Sequence, residues 1–461
     1  MKKVLAVVLG TLATASFADV TLYGRISAAL ENDTFPSANQ VQPGTTSIQD
    51  YGSYFGIRGT DQVYGQTAVI WQVEQFLNIS SGEAYQNTTG SGWVPNHPGN
   101  SSVSGQPTTG VNVLASSDSY IGLQGGWGRV RIGNLSNTYR TNTGAVDVYN
   151  GANANVFGNY DRFASVLAET IRYDSPSWSN VSFSGYYSFN QDGNYNTGGA
   201  NGNGMDQAGD MNGYNNAGVM GFGVFYNPGN FSATWNNQVA LNTGVYQQMG
   251  GSVPVGITGV AYAPGAQGIN AYNSRLELGY NNPDSLILGF GGQISQGYGW
   301  SSAPGNGNLN NFWIQNSSAN GVNSQYTNSA NCANGYCPLN QAVLSTAEVG
   351  MSIGWHVDNW TPKIGYVYGA NLMAGGSPWD IINGNNQLGG TGYQQAIAEL
   401  DWNITPRTIA FINYGQMWYG SAAQNTVFQS SGQAPNSNAI TTGGSKYINN
   451  GTAAVGFSHT F

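Results

Sequence analysis

From Val20 onward, apolar and polar side chains alternate with a period of two almost without interruption. In 20–31 the even positions Val20, Leu22, Ile26, Ala28 and Leu30 are apolar, whereas Thr21, Tyr23, Arg25, Ser27 and Glu31 are mostly polar. The same dyad sets Tyr51, Phe55 and Ile57 against Tyr54, Arg58 and Thr60, and Leu276, Leu278 and Tyr280 against Arg275 and Glu277. Successive side chains of a strand point to opposite faces, so this pattern means strands with one apolar and one polar face. No window carries a convincing amphipathic-helix pattern, and connections rich in Gly and Asn would not propagate one.

Sixteen such runs are read along the chain, beginning 19–31, 50–61, 65–79, with later ones at 117–126, 128–135, 165–175 and a last at 447–461. Every second connection is tight: 61–64, 126–127, 176–179, 227–230, 282–284, 357–359 and 405–406. The others are long and rich in Gly, Asn and Ser, as at 80–116, 243–270 and 298–343. An even number of strands with short and long connections in alternation predicts an all-β fold: a 16-stranded antiparallel transmembrane β-barrel with short periplasmic turns and long external loops. Sixteen strands make a ring too wide for side chains to fill, so the polar face lines a wet lumen and the apolar face meets lipid. Tyr23, Tyr51, Trp71, Tyr173, Trp402, Tyr414 and Trp418 near strand ends are expected in the interfacial girdles.

Composition narrows the function classes. Only 8% of residues are charged, and the four lysines are Lys2, Lys3, Lys363 and Lys446. A nucleic-acid partner is excluded, since phosphate neutralisation needs clustered Lys and Arg. Met1, Lys2 and Lys3 followed by the apolar stretch 4–12 and small residues at Ser16 and Ala18 read as a Sec signal peptide, 1–18, removed to leave a mature barrel domain, 19–461. Removing Lys2 and Lys3 leaves eleven basic against 22 acidic side chains, a mature net charge of −11. In an oxidising compartment the two cysteines, Cys332 and Cys337, are expected to close a small loop disulfide.

Enzyme chemistry finds no support. His97, His356 and His459 are scattered, and no Ser or Cys sits in a nucleophile elbow. Glu399 and Asp401 read as lumen-facing neighbours on one strand. The stretch 206–213 glances at a calcium loop but lacks the closing Glu. No cofactor and no metal site is expected.

Several motifs resemble the trimeric general porins of the Gram-negative outer membrane, especially the beta-proteobacterial and neisserial type. These are DVTLYGR at 19–25, YFGIRGT at 54–60, AVIWQVEQ at 68–75, SYIGLQGGWGRVRIG at 119–133, RYDSP at 172–176 and the ending VGFSHTF at 455–461. The resemblance implies a homotrimer in the cell outer membrane, in contact with lipid and lipopolysaccharide. It implies that Phe461, with Phe457 and His459, is read by the barrel assembly machinery. It also implies passive diffusion of ions and small hydrophilic solutes, and a third external loop, about 136–164, folded inward to narrow the pore. Strand parity puts Arg25, Arg58, Arg129 and Arg131 on the lumen face as a basic wall. The loop supplies Asp147 and Asp161 opposite, and carries Arg140 and Arg162. Glu169 conflicts, because its parity with Ile171 and Tyr173 points it outward; a strand end, a bulge or a subunit contact would account for it. Two other functions remain open on the same barrel: a substrate-selective channel, and a surface adhesin or structural barrel. A secreted soluble all-β binding protein is the reading off the barrel.

Overall fold

The computed structural model describes residues 20–34, 45–80, 114–141, 145–151, 153–189, 218–243, 269–296, 312–315, 336–338, 344–374, 389–420, 426–428, 445–446 and 450–461. The leader 1–18, His97, the stretch 206–213 and Cys332 lie outside the described residues.

The chain forms one closed antiparallel barrel. Its strands are β1 (Thr21–Asp33), β2 (Thr45–Asp50 continued by Tyr54–Tyr64), β3 (Thr67–Phe76), β4 (Ser119–Gly125), β5 (Gly128–Ser136), β6 (Val166–Asp174), β7 (Val181–Ser188) and β8 (Val219–Tyr226). They continue with β9 (Phe231–Thr243), β10 (Ile269–Asn281), β11 (Leu286–Gln296), β12 (Leu344–Trp355), β13 (Trp360–Gly369), β14 (Tyr393–Thr405), β15 (Thr408–Tyr419) and β16 (Asn450–Thr460). Each strand pairs with its sequence neighbours, and β16 closes on β1 from Arg25 opposite Thr460 to Asp33 opposite Thr452. Phe461 completes the seam, its backbone exchanging two 3.1 Å hydrogen bonds with Gly24. Met373–Ala374 resumes the β13 edge against β12. The connections after β11 and β15 meet in a separate four-stranded sheet, which the dyad pattern did not announce.

Alternation is kept as expected on the two faces. Leu22, Leu30, Ile57, Ile132, Leu276, Phe290, Ile353, Ile364, Ile412 and Val455 are exposed on the outside, while Ser27, Glu31, Arg275, Glu277, Gln293 and Glu399 are buried on the inside. A charge turned to the lipid midplane would cost about 2–4 kcal/mol, which keeps the charged set on the wet side. Aromatic pairs border the short turns, with Trp127 stacked on Tyr173 at 6.5 Å and Trp360 on Trp402 at 5.6 Å.

Three local features depart from simple parity. The first tight turn is Gly65-Gln66 rather than 61–64, because β2 runs on to Tyr64. Asp50 Oδ1 accepts from the backbone N–H groups of Gly52 and Ser53, both at 2.9 Å, and Gly52 has φ 81. That turn breaks β2 and swings Tyr51 inward, where it donates to Glu31 at 2.5 Å and stacks on Phe411. Tyr51 is therefore no girdle residue, and Tyr23, bonded to Glu74 inside the barrel, is not one either. The third departure accounts for Glu169. The β5–β6 register slips between Gly133 and Leu135, and Glu169 sits in that bulge with φ 48. A bulge inserts an extra residue and resets the parity that follows. Leu167 is buried before it and Thr170 after it.

Candidate pore constriction

The segment between β5 and β6 crosses the inside of the barrel. It opens with the short helix α1 (Thr138–Thr141), whose preceding residue Asn137 accepts from the Arg140 N–H at 3.0 Å, an N-cap. Asn137 Nδ2 also donates to the Phe163 carbonyl at 2.7 Å and to Gln238 on β9 at 3.0 Å. Those bonds tie both ends of the loop to one wall. Tyr139 and Phe163 pack there with Leu167, Tyr186, Val219, Ala240 and Ala271, the apolar root of the loop.

Beyond the root, the loop lies flat on the wall. A Cβ at Gly289 of β11 would strike the Ala145 carbonyl, and one at Gly415 of β15 the Ala154 carbonyl, so glycine at both positions admits the loop backbone. Tyr149 donates to Ser352 of β12 at 3.1 Å, and Lys363 of β13 donates to the Val148 carbonyl at 2.8 Å. The Asn150 N–H donates to Glu399 of β14 at 2.8 Å, and Asn155 donates to Asn413 of β15 at 2.7 Å. The two loop charges at the far end pair in opposite senses. Asp161 accepts from Arg275 of β10 at 2.5 Å, and Arg162 donates to Glu348 of β12 at 2.5 Å. All four of these side chains are buried. The same wall holds Lys363 between Glu399 at 2.6 Å and Asp401 at 2.7 Å.

The expected site residues therefore divide into two groups. Asp147 does not look across the lumen. It accepts from the N–H groups of Tyr149 and Phe157 inside the loop. Burial first, and the Asp161 charge second, hold its carboxyl well above the usual carboxylate range. Asp161 and Arg162 are turned to the wall behind the loop. Arg140 donates to Ser136 and Ser117 and lies over Phe76 at 5.0 Å. On the facing wall, Arg25 donates to Ser458 at 2.9 Å and reaches the loop at Asn150, 3.1 Å away. Arg58 is exposed over the Tyr23 ring at 4.9 Å. Arg129 and Arg131 converge on Asp174 at 3.0 and 2.6 Å, and Arg172 joins them at 2.8 Å. Three guanidinium groups on one carboxylate leave that cluster at +2. Arg172 and Asp174 alternate on β6 with lumen parity, a signal the sequence carries. Arg275, Glu348 and Lys363 also have lumen parity, but nothing in the sequence says that the loop lies over them.

Phe457 and His459 face outward on β16, and His459 touches Thr408 at 2.9 Å. Cys337 falls in the strand Tyr336–Pro338 of the separate sheet. Among the described residues no group of His, Cys, Asp and Glu could hold a metal ion.

Known proteins resemble this chain over nearly its whole length. A family model described as Gram-negative porin matches residues 5–419. A major outer membrane protein P.IB of Neisseria meningitidis serogroup B is 24% identical over 436 residues, covering 94% of this chain and 97% of the relative. A P.IB protein of Neisseria sicca is 30% identical over 194 residues, and that match covers 40% of this chain and 46% of the relative. Among solved structures, an anion-selective porin from Comamonas acidovorans superposes with a TM-score of 0.56 at 13% identity, covering 96% of this chain and 100% of that one. A trimer form of the Vibrio cholerae outer membrane protein OmpT gives 0.53 at 12% identity, covering 97% and 100%. A sixteen-stranded barrel, apolar outside and polar within, thus carries a family match across most of its length: the chain belongs to the Gram-negative porins, channel-forming barrels of the cell outer membrane.

Proposed function

We propose that this porin is a general-diffusion channel, a homotrimer that passes ions and small hydrophilic solutes and selects weakly for anions. The observation that carries the reading is how the loop acids are used. Asp161 is neutralised by Arg275, and Asp147 is folded into the loop, so neither opposes the arginines of β1, β2 and β5. The constriction then lies between the loop and the wall bearing Arg58, Arg129 and Arg131, bounded at one edge by Arg25 where it meets Asn150 of the loop, with Arg140 at the loop root. In physiological salt, fields decay over about 8 Å, so the acids of distant loops are screened from that gap. Arginine keeps its proton at every relevant pH while exposed carboxylates can be neutralised, so the preference strengthens as the external pH falls.

Reversal potentials in a salt gradient across planar bilayers test this. The expected sign is anionic, with a weaker preference in Arg58→Ala and Arg131→Ala. A clear cation preference at neutral pH that both substitutions leave unchanged overturns it.

The remaining proposals concern biogenesis. The leader 1–18 is removed on Sec export, and the barrel assembly machinery reads Phe461, Phe457 and His459 before the trimer settles among lipid and lipopolysaccharide. Support comes from the seam that Phe461 closes with Gly24 and from the outward setting of Phe457. Deleting Phe461 should cut the yield of heat-modifiable trimer in outer-membrane fractions; normal yield at modest expression sinks the idea.

A further inference from the structure

We propose that the open wall of the lumen carries a binding track for planar organic anions, aromatic carboxylates as a class, built from Arg58 over Tyr23 with Tyr54 and Tyr120 as flanking rings. The proposal rests on the lumen being the solute path and adds a ligand class to it.

The residues come together through register. Arg25 pairs with Tyr54, Tyr23 with Gly56 and Thr21 with Arg58 across β1 and β2. Arg58 pairs in turn with Gln72 of β3, and Gln72 with Tyr120 of β4. Directly paired residues share a face, so the three tyrosines and Arg58 occupy one continuous patch of the inner wall. The rings are held in place. A Cβ at Gly56 would strike the Tyr23 ring, so the ring rests on bare backbone. Its hydroxyl donates to Glu74 at 2.9 Å, and Tyr54 meets it edge-on at 6.3 Å. Arg131 lies over the Tyr120 ring at 4.9 Å, and the Tyr120 hydroxyl reaches Gln72 at 3.5 Å.

The charges on this patch are unevenly used. Glu74 is buried and accepts from both Tyr23 and Ser117, so it is not available to a solute. Arg131 is taken by Asp174. Arg58 is exposed and, among the described residues, makes no hydrogen bond or ion pair; its one contact of this kind is the Tyr23 ring. A guanidinium offers five N–H donors in a fork that matches a carboxylate bidentately. A carboxylate in that fork sits beside the Tyr23 ring that the guanidinium covers, with Tyr54 and Tyr120 as the next rings along the wall. The rest of the acid then extends over a neighbouring ring. A flat aryl group gains stacking there that a puckered ring of the same charge and size does not. Chloride would feel only the charge. A track of this kind separates solutes by shape, which a bare ring of charge does not do.

The test uses full-length trimer in planar bilayers carrying KCl current, with benzoate or cyclohexanecarboxylate added on either side. Benzoate should halve the current at a concentration about two- to twelvefold lower than cyclohexanecarboxylate does, the range set by one aromatic pair. Arg58→Gln should weaken block by both acids. Tyr23→Leu with Tyr120→Leu should erase the difference between them, and Tyr23→Phe, which keeps the ring, should retain it. Equal block by the two acids in the native trimer overturns the proposal, as does a benzoate preference that survives in the double leucine variant while KCl current is normal. An absence of KCl current in the native trimer would instead defeat the channel reading on which the track rests.

Discussion

The two halves of the inner wall use charge in opposite ways. Behind the loop, on β10 to β14, every basic group has an acid partner and acids are in excess: Arg275 meets Asp161, Arg162 meets Glu348, Lys363 meets both Glu399 and Asp401, and Glu277 is buried on the same wall. Facing the loop, on β1 to β6, Arg129, Arg131 and Arg172 share the single carboxylate of Asp174, while Glu31, Asp33 and Glu74 accept from the hydroxyls of Tyr51, Thr452 and Tyr23. Pairing on the covered wall ties the loop down, while the arginines of the open wall are the ones proposed to set the field that solutes meet. A loop charge can therefore serve as an anchor instead of as part of the filter, and burial decides which.

The sharpest way to break the comparison is to unpair the covered wall. Arg275→Gln leaves Asp161 buried without its cation, and removing one partner of a buried pair typically costs about 3–5 kcal/mol. The barrel should persist as a heat-modifiable species while the loop loosens. Single-channel records should show larger or noisier conductance, and protease should cut between β5 and β6. The exchange Asp161→Arg with Arg275→Asp should restore part of the native record. A quiet, native-sized channel in Arg275→Gln would show that the ion pair does not hold the loop.

The open wall answers to a smaller change. Asp174→Asn releases three guanidinium groups from their shared carboxylate, and the reversal potential should move further toward the anion value. Arg131→Ala should move it the other way. Equal potentials in the two variants would remove this cluster from the filter.

Proton binding offers a weaker handle on the covered side. The Asp147 carboxyl is held above its ordinary range by burial and by Asp161. A carboxyl that holds its proton more tightly in the docked loop stabilises docking fully below the ordinary carboxylate pKa. That contribution is lost as pH rises through the raised value. Loop protection from protease should therefore decline toward alkaline pH, and Asp147→Asn should flatten the dependence. A profile that is unchanged in Asp147→Asn would assign the proton elsewhere.

The smallest effect is expected from the two cysteines. Cys332 and Cys337 are proposed to bridge within the connection after β11, so Cys332→Ser should leave assembly and conductance nearly unchanged. Labelling of both thiols in the unreduced protein would count against the bridge.

Much of this architecture is written in local pattern. Period-two alternation assigns each side chain to a face, and the alternation of tight and long connections sets strand number and direction, because both depend only on near neighbours in the chain. Thus the inward setting of Arg25, Arg58, Arg129 and Arg131 and the outward setting of Phe457 can be read without coordinates. Among the described residues, parity misleads where the backbone slips, as at the Asp50–Gly52 turn that buries Tyr51 and at the Glu169 bulge. Such slips turn on a single φ and on a partner strand far along the chain. The loop's partners were not legible for a related reason. Asp161 meets Arg275 across 114 residues and Arg162 meets Glu348 across 186, distances over which sequence carries no register. Sequence determined the barrel, its polarity and its supply of lumen charges. The tertiary structure alone decided which of those charges anchor the loop and which face the water, because that choice depends on burial against surfaces brought together by closure of the ring.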